Sequence, residues 1–294
     1  QKVRIGDRVF VSYTQSTEGE DKYFISDFNR TRPLLTLGLV FLAAVVTVGK
    51  IRGLRAFLGL IISLATLLKF IIPQIVSGAS PIKTAIMGSV FILTTTLYLA
   101  HGINLKTTAA VAGTFISLVI TGILTYAFVN FARLSGFGSE EAGFLSLLPG
   151  IQINLQGILM AGIIIGALGV LDDITISQSA CVFELHEANK NLSWSELYKR
   201  GLRIGQDHIA SLVNTLVLAY AGASLPLLLL FTLSGGEPVS QLINREMIAN
   251  EIVRTLVGSL GLVAAVPITT MLAAILSKTN NHKFKNSHNS FTIS

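Results

Sequence analysis

Two adjacent aspartates, Asp172 and Asp173, interrupt a long apolar run, GILMAGIIIGALGVLDDITISQSACVF, between Gly157 and Phe183. A carboxylate inside a bilayer-length segment is costly unless it is paired, hydrated or protonated. Two carboxylates held together in a low-dielectric site cannot both stay ionised, so such a pair suits the binding and release of a proton or a cation. On a helix, Asp173, Ser177 and Glu184 share one face, and Asp172, Thr175 and Ser179 share the adjacent one. Gly162, Gly166 and Gly169 precede them, and residues this small let a neighbouring helix approach closely. The competing expectation is that the aspartates end a shorter span and are solvated at a membrane boundary. The apolar ITISQSACVF that follows favours the deeper position.

A partner for the pair is expected in GLRIGQDHIASLVNTLVLAYAG. There Asp207, Ser211, Asn214 and Thr215 fall at i, i+4, i+7 and i+8, one face of a helix. Polar groups on one face of an otherwise apolar helix need partners in a bilayer, and the aspartates and their serines are the candidates. Asp172 and Asp173 are thus expected to bind a proton or cation, with Asp207 as partner carboxylate and Ser177, Ser211, Asn214 and Thr215 orienting the site. His208 is read as an interfacial residue before a relay member, Arg203 as an anchor at a membrane end, and Lys69 as a snorkelling side chain.

Other chemistry finds little support. Glu184, His186 and Glu187 form E-L-H-E, not H-E-x-x-H, and a solvated face explains them; no metal and no cofactor is expected. There is no G-x-S-x-G and no P-loop. The contexts of the aspartates, L-G-V-L-D-D and G-Q-D-H, do not match the G-x-G-D and Y-D contexts of intramembrane aspartyl proteases, so no enzyme is expected. The single cysteine, Cys181, excludes an intrachain disulfide and reads as a small packing residue.

The elements that must hold these residues follow from composition. Only 13% of the 294 residues are charged and 51% are hydrophobic, against about 25% charged in a soluble domain. The fold expected is an all-α polytopic membrane protein of about seven transmembrane helices. The spans are placed at 33–49, 56–76 (bent near Pro73), 84–100, 107–131, 157–182, 204–233 (broken near Gly222 and Pro226) and 255–276, with an amphipathic polar segment at 184–203. Residues 1–32 read as a small extracytoplasmic β-segment, a hairpin or the end of a larger β-domain, with chain expected upstream of Gln1. Residues 33–277 form the helical domain, and 278–294 a basic, disordered cytoplasmic tail. The net charge of +6 is assigned to helix ends, not to nucleic-acid binding. Lys and Arg cluster in KIRGLR, HGINLK, 184–203 and the tail, while Lys83, Arg133 and Arg245 lie in the sparser loops opposite. The positive-inside rule then puts the N-terminus outside and the C-terminus in the cytoplasm.

Across this part the chain resembles the YibE/F family of bacterial multi-spanning membrane proteins. The resemblance is carried by AGIIIGALGVLDD (Ala161–Asp173), Ser177–Ala180, E-L-H-E-A-N, Leu197–Asp207, Asn214–Gly222 and Ser224-Leu225-Pro226, and more weakly by GLRAFLGL, I-P-Q-I-V-S-G and H-G-I-N-L-K-T-T. It implies a multi-pass architecture in a bacterial plasma membrane, not a substrate. The second aspartate departs from the family's G-A-V-M-D-V pattern and leaves open which of the two is its equivalent. A weaker, partial resemblance to half of an RND or SecD/SecF-type membrane domain implies proton-motive function and a second half, supplied by a homodimer or a paralogous partner. The function expected is a proton- or cation-coupled secondary transporter of unidentified small substrate. The alternative is a scaffold or assembly factor whose polar stripe only packs helices.

Overall fold

A computed structural model describes residues 2–15, 21–147, 153–233 and 238–289. The chain divides into two compact units, residues 1–57 and 58–294.

The first unit opens with β1 (Val9–Gln15) and β2 (Asp21–Phe28). They pair antiparallel from Val9 against Phe28 to Gln15 against Asp21, with an irregularity at Phe10/Val11. The Tyr13 and Tyr23 rings stand opposite each other at 5.7 Å, a cross-strand pair of the kind that sets register. The expected hairpin is therefore present, as a sheet of two strands.

Helix α1 (Thr31–Thr66) is broken at Lys50, whose backbone is left-handed (φ 49°). Phe41 and Phe57 are sixteen residues apart, about 24 Å along a straight helix, yet their rings are 6.5 Å apart. The chain therefore turns back on itself at the basic KIRGLR stretch. Gly53 makes the reversal possible, since a Cβ there would run into the carbonyl of Val45.

In the second unit the helix continues through a π-helical turn, Leu67–Ile71, into α2 (Ile72–Val76), an irregularity just before Pro73, where a bend was expected. Then come α3 (Pro81–His101), α4 (Leu105–Phe131), α5 (Glu140–Ser146), α6 (Leu155–Ala188), α7 (Trp194–Ala223), α8 (Leu225–Leu233), α9 (Val239–Leu242) and α10 (Glu246–Asn289). Asn104 and Asn154 start α4 and α6 by accepting from the amides of Thr107 and Gly157, and Ser193 with Glu196 forms a capping box on α7. The Ser193 amide and hydroxyl hold the Glu196 carboxyl below its usual range.

Helices α4, α6 and α10 pack on one another as the centre of the unit, with α3 and α7 against α6. Leu118, Ile164, Leu168, Leu171, Ile174, Leu262 and Val266 fill the space between them. Close approach is achieved at glycines. A Cβ on Gly113 would strike Thr269, one on Gly261 would strike Thr121, and one on Gly205 would strike Val266.

Among the described residues, five helical stretches are long and apolar enough to cross a membrane: Thr31–Val76, Pro81–His101, Leu105–Phe131, Leu155–Ala188 and Glu246–Thr279. The expected seven came from dividing the first at KIRGLR and from counting α7 with α8. The boundary near residue 224 falls as expected, between α7 and α8. The polar segment 184–203 is not a separate element. It is divided between the end of α6 and the start of α7, because a helix can outlast the apolar run that crosses the bilayer. Likewise α10 stays helical to Asn289, where a disordered tail was expected from residue 278; residues 290–294 lie outside those described.

Enlarging Gly205 should overpack the α6–α7–α10 junction and cost about 1–3 kcal/mol, read as a lower unfolding temperature of Gly205→Ala in mild detergent. Gly162→Ala, where a Cβ meets nothing within 4 Å, should leave that temperature unchanged or slightly raised.

Candidate functional site

Helix α6 carries its polar residues in two sets. Thr175, Gln178 and Ser179 are fully buried, and each reaches a different neighbour. Thr175 shares a hydrogen bond with the Thr114 hydroxyl of α4. Ser179 donates to the Lys106 carbonyl at 2.7 Å. Gln178 Nε2 donates to the Gly201 carbonyl of α7 at 2.8 Å and to Thr270 Oγ1 of α10 at 2.7 Å. Gly201 and Gly205 leave room for that amide. On α4, the buried hydroxyls of Thr114, Ser117, Thr121 and Thr125 each donate to the carbonyl four residues earlier. The hydroxyls are satisfied within the bundle and Gln178 Nε2 is used twice, while the buried Gln178 Oε1 has no partner; together these bonds tie the helices.

The second set is different. Asp172 is half-buried, and its Oδ1 is shut away from solvent with no hydrogen-bond partner. Asp173, next to it, is exposed, and so are Ser177, Gly162, Gly166 and Gly169. These five residues form one outward stripe along α6. The three glycines are therefore not the ones that admit neighbouring helices within the chain. Gly162 and Gly169 face open space, and Gly166 meets only the Tyr220 hydroxyl. Glycines 113, 201, 205 and 261 do that work instead.

Helix α7 lies antiparallel to α6, pinned where Gln178 meets Gly201 and where Tyr220 meets Gly166. The stretch between those pins, Asp207 to Asn214, runs alongside Asp172 and Asp173. Level is shared, but facing is not. Leu202, Ile209, Leu212, Val213 and Leu216 turn toward the core, which leaves Asp207, Ser211, Asn214 and Thr215 on the exposed side. No hydrogen bond or ion pair joins them to Asp172 or Asp173 among the described residues; Thr215 donates to the Ser211 carbonyl of its own helix. The expected direct pairing of Asp207 with the aspartates across the α6–α7 contact is thus absent within the chain. The apolar face of α7 takes that contact instead. His208 is half-buried on the inner side, its Nδ1 enclosed without a partner. Among the described residues no group of three His, Cys, Asp or Glu side chains could hold a metal.

Reasoning from sequence passed over the residues that tie the bundle. Neither Gln178 nor Thr270, Gly201 and Gly205 is singled out by its sequence context. The hydroxyl ladder of α4 had a visible signal, a helical spacing of Thr and Ser at 114, 117, 121 and 125.

Long apolar helices packed through buried hydroxyls and glycines define an integral, multi-pass α-helical membrane protein. Within that class the chain belongs to the YibE/F-like family: the model for the YibE/F-like protein matches residues 37–279. No curated protein and no solved structure matches it.

Because Gln178 links α6 to two helices at once, Gln178→Leu should destabilise the protein. A double-mutant cycle with Thr270→Val should give a coupling of about 0.6–1.7 kcal/mol, the range of interhelical hydrogen bonds in bilayers. Zero coupling in detergent unfolding would mean that the bond contributes no stability.

Proposed function

We propose that the chain is a proton- or cation-coupled secondary transporter in which Asp172, with Asp173, is the site that takes up and releases the ion. One observation carries this reading: the Asp172 carboxyl is set into the bundle partway along α6 with Oδ1 enclosed and unpartnered, beside a second carboxylate. The Thr175 and Ser179 hydroxyls on the same helix are satisfied by a neighbouring helix, and the Asp172 carboxyl is not. An enclosed carboxyl without a partner is held more cheaply with a proton or a cation on it. The substrate is unassigned, and the chain is proposed to have no catalytic centre.

In this reading the chain crosses a bacterial plasma membrane seven times, with the N-terminal hairpin outside and the C-terminus in the cytoplasm. The break in α1 supports two spans there. Helix α7, 30 residues long and so about 45 Å, supplies another. Asp173, Ser177, Asp207, Ser211 and Asn214 face outward at a similar level, where hydrocarbon would leave them unsatisfied, with Thr215 beside them bonded within its own helix. A second copy, or a paralogous partner, is proposed to cover that face and to use the bare stripe of Gly162, Gly166 and Gly169 for close approach. Size analysis in lipid discs tests this: the protein should be a dimer, and a strict monomer would exclude a homodimer.

The transport reading is tested by proton flux into sealed proteoliposomes under an imposed potential. Asp172→Asn keeps the size and hydrogen bonding of the side chain but cannot carry a proton. It should cut flux by about tenfold or more, with smaller losses for Asp173→Asn and Asp207→Asn. Flux that is unchanged in Asp172→Asn would remove the carboxyl from the mechanism. A protein whose only loss in the three variants is stability would be the scaffold.

A further inference from the structure

At the end of the bundle where α4 finishes and α6 and α10 begin, a loop is fastened to α10 over a long sequence distance. The Glu246 carboxylate accepts from the Ser135 amide and the Gly136 amide, both at 2.7 Å, and from the Ser135 hydroxyl. Gly136 has φ 86°, and a Cβ on it would collide with the backbone of Leu155, so the loop is seated tightly on the start of α6. Behind it lies a cavity of about 240 Å³, walled by this loop, α5, the first turns of α6 and one face of α10. That volume is below the usual range of about 300–1,000 Å³ for drug-sized ligands, so its occupant is small.

The chemistry of the wall is specific. Asn250 lines the cavity at 6% exposure. Its Oδ1 is enclosed and has no partner, although a buried amide oxygen normally has one. The amide nitrogen lies against the bare Cα of Gly138, and a Cβ there would strike it. One turn along α10, Arg254 also lines the cavity, and its Nε is enclosed and unpartnered. Among the described residues its ion pair is a long one, 3.6 Å from Nη1 to Glu251. Glu141 and Glu251 add carboxylates to the rim. The cavity thus offers a guanidinium donor to an oxyanion, and an amide oxygen with two carboxylates to an ammonium. Leu155, Ile158 and Leu159 supply an apolar wall.

We propose that this cavity, formed by Gly138, Glu141, Asn250, Glu251 and Arg254, binds a small zwitterion that carries a primary ammonium and an oxyanion a few bonds apart beside an apolar group. A free α-amino acid with an aliphatic side chain has this chemistry, and so does an aminophospholipid headgroup. Binding here does not depend on ion coupling at Asp172, and the test reads binding alone.

The full-length protein is purified in detergent free of aminophospholipid and titrated with leucine, leucinamide and isocaproate, with heat of binding and thermal stabilisation as readouts. The wild type should bind leucine saturably, and the two analogues, each lacking one charge, should bind weaker by about tenfold or more. Arg254→Gln and Asn250→Ala should lose leucine binding while keeping the wild-type elution volume and helicity. In lipid discs, phosphatidylethanolamine that binds in place of leucine, and loses binding in the same two variants, assigns the same chemistry to the headgroup. Absence of binding by both leucine and phosphatidylethanolamine overturns the proposal. So does equal binding of leucine and its two analogues, which needs no variant to fold.

Discussion

Hydrocarbon provides no hydrogen bonds, and α6 is the helix on which that constraint falls hardest. It is packed against α3, α4, α7 and α10, and it carries hydroxyl, amide and carboxyl side chains along the same length. Gln178 meets the constraint by spending one amide nitrogen on two other helices, the Gly201 carbonyl of α7 and the Thr270 hydroxyl of α10. That bond can form only where the backbones come close. Gly201 and Gly205 on α7 are therefore part of the same arrangement: a Cβ on either would press on Val182, Thr270, Val266 or the Gln178 amide itself. The positions of α7 and α10 relative to α6 follow from this junction and from the apolar contacts around it.

With that junction in place, the polar residues of the bundle separate by what they need. Thr114, Ser117, Thr121 and Thr125 return their protons to carbonyls of their own helix, at little cost to the fold and with little chemistry left over. Asp172 does not. Its enclosed oxygen has no donor. The Thr175 hydroxyl, one turn away, pairs with Thr114 and the backbone carbonyl of Asp172 rather than with the carboxylate. Gln178 Oε1 and His208 Nδ1 are likewise enclosed without partners, and Asp172 is the carboxylate in that set among the described residues.

Much of this was legible in the residues. Helices α3 and α4 lie within a few positions of the expected spans, because Pro81 and Asn104 mark starts that composition and capping both recognise. The reversal at KIRGLR and the break before Leu225 were visible as a basic turn and a Gly-Pro region. The far end of α6 and the start of α7 were misjudged because apolarity reports where the bilayer ends, not where the helix ends. The capping box at Ser193 and Glu196 held the missing signal. At the site, the depth of Asp172 on its helix could be read, but the direction of α7 could not. Spacing shows that Asp207, Ser211 and Asn214 share a face. Which way that face turns is decided by how much apolar surface Leu202, Ile209, Leu212, Val213 and Leu216 bury on the opposite side, a tertiary quantity.

A helix whose apolar face is turned inward and whose Asp, Ser, Asn and Thr are turned outward is arranged as in a water-soluble bundle, not as in one surrounded by lipid. Helix α6 adds Asp173 and Ser177 to that outward surface, and bare glycine Cα atoms beside them. Lipid chains can cover the glycines but cannot satisfy the carboxylates. Water reaching this surface, or protein covering it, would satisfy them. Two aspartates that do not meet across the α6–α7 contact can still act on one ion, provided that what covers the outer face brings the two helices' polar sides into the same space.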